Sequence, residues 1–227
     1  MQCRVFDDER AVAEAAAELI AAAARTAVAA RGRFLMALSG GRTPRQMLGA
    51  LALQSLPWDR VQVFQVDERV SPPGDAARNL NLLQASLLGP GRLRPEQLHA
   101  MPVEVEDLDL AAGRYSGTLR THAGTPAVLD LVQLGLGSDG HTASLVPGSP
   151  VLDTEGADVA VTGPYQGHRR MTLTYPVING ARHVMWLVTG AGKREMLRRL
   201  RQGDRNIPAG RVAQDRAIVL ADRAAAG

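Results

Sequence analysis

The segment Gly135-Leu136-Gly137-Ser138-Asp139-Gly140-His141 puts a histidine two residues after an aspartate, among glycines, behind an apolar run ending at Leu134. An imidazole titrates near neutral pH, so a histidine held in such a turn can take up a proton and return it. Asp139 can orient the ring or steady its cationic form, and the sequence leaves both roles open. The other four histidines, His99, His122, His168 and His183, lack comparable surroundings and are expected at the surface. No second histidine stands at ligand spacing from His141, and Cys3 is the only cysteine. Neither a metal centre nor an internal disulfide is therefore expected, and no cofactor is implied.

Three more segments carry chemistry. Ser39-Gly40-Gly41-Arg42-Thr43-Pro44 follows an apolar run and leads into a helical pattern, the order that an anion site needs. Glycines let backbone N–H groups approach an oxyanion, and a helix amino end adds partial positive charge. Ser39 and Thr43 add hydroxyls, but the segment is neither a Walker loop nor a nucleophile elbow, so Ser39 is a poor nucleophile. Asp67-Glu68-Arg69 sets two carboxylates and a guanidinium at the end of a strand, where burial requires pairing or function. The plain alternative there is an Asp67–Arg69 ion pair at the surface. Last come Arg169-Arg170 and Thr189-Gly190-Ala191-Gly192-Lys193. Lysine and arginine together number 26, yet Lys193 is the only lysine. A lysine at a helix amino end opposes the helix dipole unless an anion sits there, which marks Lys193 as a candidate phosphate ligand.

These loops need a scaffold that brings them together. Short apolar runs at Arg4 to Phe6, Phe34 to Leu38, Val61 to Val66, Val128 to Leu134, Val159 to Thr162, Met171 to Tyr175, Val184 to Thr189 and Ala217 to Leu220 read as strands. Helices are expected after Asp7 or Asp8 as far as Gly32, from Pro44, over Asn79 to Leu88 and Leu108 to His122, and over Lys193 to Leu200. Such alternation predicts an α/β protein, a single three-layer α/β/α domain over residues 1–227 with a mostly parallel sheet. Ligands of open sheets bind beyond the carboxyl ends of the strands. All the loops singled out above adjoin predicted strands, so they are expected to share one crevice.

Composition narrows the function. Net charge is only +3, and the densest basic run, Lys193 to Arg201, reads as a solvated helix face rather than a nucleic-acid arm. The alanine-rich stretch Ala11 to Ala30 is broken by Glu14, Glu18 and Arg25 and follows the acidic Asp7-Asp8-Glu9. It reads as neither a signal peptide nor a membrane span, and a cytoplasmic location is expected.

In order and spacing, the four segments resemble the 6-phosphogluconolactonase family, within the glucosamine-6-phosphate deaminase/isomerase-like superfamily, over about residues 5 to 220. The residues that carry the likeness are Ser39 to Pro44, Asp67-Glu68-Arg69, Gly135 to Leu145 with Pro147-Gly148, and Gly190 to Lys193. The resemblance implies a modified Rossmann-type fold. It also implies hydrolysis of 6-phospho-D-glucono-1,5-lactone in the oxidative pentose phosphate pathway, with His141 as general base. Ser39, Gly40, Gly41, Thr43, Arg170 and Lys193 would grip the phosphate, while Asp67 and Arg69 would line the sugar or carbonyl end. Either Arg69 or backbone N–H groups would stabilise the oxyanion.

Two positions depart from the pattern. Arg78 precedes Asn79 where many members carry serine, and Val146 stands where related deaminases carry a glutamate. Without that carboxylate a deaminase lacks part of its ring-opening relay, which favours the lactonase. The alternatives are another sugar-phosphate isomerase or deaminase, or a non-catalytic sugar-phosphate sensor. The expected partner is a small phosphosugar lactone, with no nucleic acid or membrane, bound by a monomer or weak homo-oligomer.

Overall fold

A computed structural model describes residues 1–227. Its strands are β1 (Gln2–Phe6), β2 (Phe34–Leu38), β3 (Val61–Gln65), β4 (Asp67–Arg69), β5 (Leu98–His99), β6 (Leu131–Gly135), β7 (Val159–Tyr165), β8 (His168–Leu173), β9 (Val184–Val188) and β10 (Ala217–Asp222). The helices are α1 (Glu9–Arg31), α2 (Arg42–Ala52), α3 (Asn79–Leu83), α4 (Leu108–Ala123), α5 (Tyr175–Gly180), α6 (Arg194–Arg201) and α7 (Arg223–Ala226).

Seven strands form one sheet in the order β1-β10-β9-β6-β2-β3-β5, with every pairing parallel. Side chains alternate across a strand, so a strand covered on both sides is apolar throughout. In β2, Phe34, Met36 and Leu38 enter the core packed against α1 and α2, while Leu35 and Ala37 enter the core on the other face. In β9, Val184, Trp186 and Val188 face that second core, and Met185 and Leu187 face the first. Both layers follow from runs that the sequence shows plainly. No helix is long and apolar enough to cross a membrane.

Local signals also set the ends of α1. The Asp8 carboxylate accepts the Ala11 N–H at 2.8 Å, and Gly32 takes up φ +71° at the other end. Along this helix Val12, Ala16, Ile20, Ala24 and Ala27 form one buried stripe.

Several expectations need correction. β7 and β8 do not join the parallel sheet. They pair antiparallel with each other, and β8 pairs antiparallel with β4, in a separate three-stranded sheet. The strand expected over Met171 to Tyr175 lies at His168–Leu173, because Thr174 and Pro176 open α5. Pro44 is the third residue of α2, where its missing N–H would have no helical partner in any case. The helix expected over Asn79 to Leu88 is α3 followed by a wider π-type turn at Gln84–Leu88. β5, only two residues long, has no counterpart among the expected strands.

Candidate active site

The strands that precede the loops at Ser39, Asp67, His141 and Lys193 are β2, β3, β6 and β9, which are neighbours in the sheet. From β2 the chain moves outward through β3 to β5, then returns to place β6 on the other side of β2. The loops after β2 and β6 therefore diverge and leave a crevice between them, as expected at a topological switch point. A cleft of about 290 Å³ opens there. It is lined by Ser39, Gly40, Gly41, Thr43, Asp67, Arg69, His141, Arg170 and Lys193. Asp139 is hydrogen-bonded to His141 at its edge. All ten candidate residues thus come together in one place.

The histidine is held by its own loop. His141 Nδ1 lies 2.6 Å from Asp139 Oδ1, which also accepts the His141 backbone N–H at 3.1 Å. A carboxylate accepts, so this contact keeps the proton on Nδ1 and leaves the lone pair on Nε2, which has no partner in the protein. Gly140 turns the loop at φ +84°, and the Gly137 N–H closes it by donating to the His141 carbonyl at 2.8 Å. Burial raises the Asp139 carboxyl, but the His141 amide and ring and the Tyr165 hydroxyl outweigh it and hold the group below the usual carboxylate range.

The glycine loop after β2 is organised by residues outside it. Ser39 Oγ donates to the Gln133 carbonyl and the Ser39 N–H donates to Gln133 Oε1. Thr43 Oγ1 donates to Glu9 Oε1 at 2.8 Å and sits 2.7 Å from Thr189 Oγ1. Both hydroxyls therefore act inside the protein here and fix the loop's shape. The N–H groups of Gly40, Gly41, Arg42 and Thr43 have no partner within the chain. Gly41 adopts φ +122°, which a residue with a Cβ rarely does, and a Cβ on Gly40 would overlap the Asn79 side chain.

The far wall is cationic and comes from the small sheet. Arg69 and Arg170 are direct partners in the β4–β8 register, and like charges placed so repel. Burial, then the Arg69 charge, push the Arg170 guanidinium down, and Asp67 opposes them. The Nε–H groups of both arginines lack an acceptor in the protein. Lys193 closes the short turn Ala191–Lys193 just before α6, and burial lowers its ammonium against the pull of Asp139. Arg42, Arg69, Arg170 and Lys193 line the cleft and Asp67 is its only lining carboxylate, so the cleft favours an anion.

Asp67 and Arg69 do not pair with each other. Asp67 is buried and accepts from Ser144 Oγ at 2.7 Å and from Asn79 Nδ2, while Arg69 donates to the Ala77 carbonyl and to Asn79 Oδ1. Glu68 is fully buried and accepts from the amides of Arg69, Asn79 and Leu80 and from Gln65 Nε2. Arg78 lies against it at 3.2 Å and reaches Glu104 at 2.7 Å. The arginine found where a serine was expected therefore neutralises the carboxylate that ties this loop to α3.

Sequence reasoning missed Asn79, Ser144 and Tyr165. Asn79 follows Arg78 and Ser144 lies in the His141 loop, but nothing in a single polar residue marks either as part of the site. Tyr165 Oη donates to Asp139 Oδ2 at 2.9 Å, and no local signal points to it. Two histidines are also not simple surface residues. His99 stacks on Phe64 at 4.5 Å between centroids, and His122 packs against both rings. No group of three or more His, Cys, Asp or Glu side chains is placed to hold a metal ion.

Known proteins resemble this chain in sequence and in fold. A family model described as "Glucosamine-6-phosphate isomerases/6-phosphogluconolactonase" matches residues 7–220. A 6-phosphogluconolactonase of Nostoc sp. is 37% identical over 197 residues, covering 85% of this chain and 82% of that protein. The crystal structure of a 6-phosphogluconolactonase from Shewanella baltica aligns over 98% of this chain and 97% of that one, with TM-score 0.86 and 26% identity. A monomeric glucosamine-6-phosphate deaminase aligns with TM-score 0.85 over 100% of this chain and 99% of its own, at 18% identity. That last likeness concerns the fold alone.

Proposed function

Because the chain belongs to the family of glucosamine-6-phosphate isomerases and 6-phosphogluconolactonases, we propose that it hydrolyses 6-phospho-D-glucono-1,5-lactone to 6-phospho-D-gluconate. That reaction belongs to the oxidative pentose phosphate pathway. The observation that carries the reading is the pairing of an aspartate-held imidazole with a cationic wall in one cleft.

The phosphate is a fixed anion remote from the reacting carbon, so its binding energy can position the ring. The free N–H groups of Gly40 and Gly41, the amino end of α2, Lys193 and Arg170 form its grip, with Ser39 and Thr43 holding the loop in shape. His141 Nε2 removes a proton from water as the water oxygen bonds to C1. Asp139 keeps the Nδ1 proton in place and stabilises the imidazolium that results. The tetrahedral intermediate then collapses, the bond from C1 to the ring oxygen breaks, and the imidazolium returns its proton to that oxygen. Arg69, beside Asp67, carries positive charge at the carbonyl end, where an oxyanion develops. A lactone is an activated ester, so a positioned water and a base suffice, with neither a serine nucleophile nor a metal required.

The test is hydrolysis of freshly prepared 6-phosphogluconolactone, with a chelator present, beside an assay for ammonia release from glucosamine 6-phosphate. Lactone loss well above the spontaneous rate, without ammonia release, is expected. Ammonia release with no faster lactone loss would replace the lactonase by a deaminase.

A further inference from the structure

The hairpin joining β7 to β8 turns at Gln166 and Gly167, both at positive φ, and Tyr165 stands at its edge. Its hydroxyl donates to Asp139 Oδ2 at 2.9 Å and lies 3.3 Å from His141 Nδ1. The phenol ring meets the imidazole edge-on, 5.3 Å between centroids. The Arg170 guanidinium sits 5.1 Å over the phenol ring, and Arg170 Nη2 donates to the Tyr165 carbonyl at 3.3 Å. One side chain thus touches the base, the partner of the base and the cationic wall. Tyr165 belongs to neither hydrophobic core, whereas Tyr115 and Tyr175 do, so packing does not account for its placement.

The contact to Asp139 has a geometric consequence. Both bonds from Asp139 to His141 fall on Oδ1. A carboxylate bound through one oxygen can rotate, and a donor on Oδ2 fixes its plane. Of the charged groups on other elements, Lys193, from the turn before α6, acts on Asp139, while Arg170 of β8 faces the phenol ring rather than the dyad.

We propose that Tyr165 is a positioning residue for lactone hydrolysis, locking the Asp139 carboxylate so that His141 is held with its proton on Nδ1. Through Arg170 it also links anion binding to the orientation of the base. The proposal rests on the lactonase reading. The hydroxyl draws charge from Asp139, so its removal leaves more negative charge to stabilise the imidazolium. The acidic limb of the kcat/KM profile then moves to higher pH.

Tyr165→Phe keeps the ring under Arg170 and removes only the hydroxyl. It is expected to lower kcat about tenfold, the order of one hydrogen bond to a charged group. KM should stay close to wild type, the acidic limb should rise, and the melting temperature should not change. Tyr165→Ala should in addition raise KM, because Arg170 loses its platform. In an Asp139→Asn background the Phe substitution should cause little further loss. A Phe variant with wild-type kcat and an unmoved limb overturns the proposal. So does a loss of kcat with the limb unmoved, or one matched by a fall in melting temperature, since either assigns Tyr165 to the stability of the hairpin. Absence of lactone hydrolysis in the wild-type protein would instead remove the reading on which the proposal rests.

Discussion

The imidazole of His141 occupies the space that a side chain on Gly137 would need. A Cβ there would overlap Nδ1 and Cε1 of the ring and crowd Asp139 Oδ1. The glycine therefore permits the contact between His141 and Asp139. Gly137→Ala is expected to displace the ring and lower kcat about a hundredfold, the scale of a misplacement near 1 Å. Circular dichroism should show the fold retained. Wild-type turnover in this variant would mean that the ring sits elsewhere during catalysis.

His141→Ala removes the proposed base. Turnover should fall by about 10²–10⁴-fold, the usual contribution of general base catalysis. Binding of the product 6-phosphogluconate, followed by calorimetry, should change little because the proposed phosphate grip remains. Near-normal turnover after correction for spontaneous hydrolysis would rule out His141 as the base.

Lys193 presents an ammonium to the cleft from the turn before α6. Lys193→Ala is expected to raise KM about tenfold with a smaller effect on kcat, in line with the loss of one charge-assisted hydrogen bond to phosphate. Lys193→Arg should recover part of the affinity. An unchanged Michaelis constant in the alanine variant would place the phosphate elsewhere.

His99 makes a prediction about stability rather than catalysis. Burial first, and the neighbouring His122 second, push its pKa from 6.5 down to about 4. The unfolded chain therefore binds a proton there at a higher pH than the folded protein does. The stability supplied by the neutral, stacked ring is complete above about pH 6.5 and drains as pH falls toward about 4. His99→Gln, which takes up no proton, should flatten the fall in melting temperature across that window. An equally steep fall in the variant would assign the acid sensitivity to other groups.

Much of this molecule is legible in its amino-acid sequence. Runs such as Phe34 to Leu38 and Val184 to Val188 announce strands buried on both faces, and Asp8 and Gly32 announce the ends of α1. The glycine-rich loops at Ser39 and His141 are equally local, since a turn and its capping groups lie within a few residues of one another. Asp139 and His141 find each other for the same reason, being two positions apart in one turn.

The antiparallel sheet is not legible there, because β4 and β8 carry the same alternation whichever partner they take. Their pairing sets Arg69 opposite Arg170 and so decides which arginines face the cleft. Tyr165 reaches His141 from 24 residues away, and Glu9 reaches Thr43 from 34. His99 looks like any exposed histidine until Phe64 and His122 close over it. The sequence by itself thus determined most strands of the parallel sheet, the glycine turns and the His141–Asp139 pair, because those depend on neighbours along the chain. The tertiary structure alone decided the cationic wall, the tyrosine beside the dyad and the stacked histidine pair, because each needs a partner that only the pairing of distant strands and the packing of distant helices brings within a few ångströms.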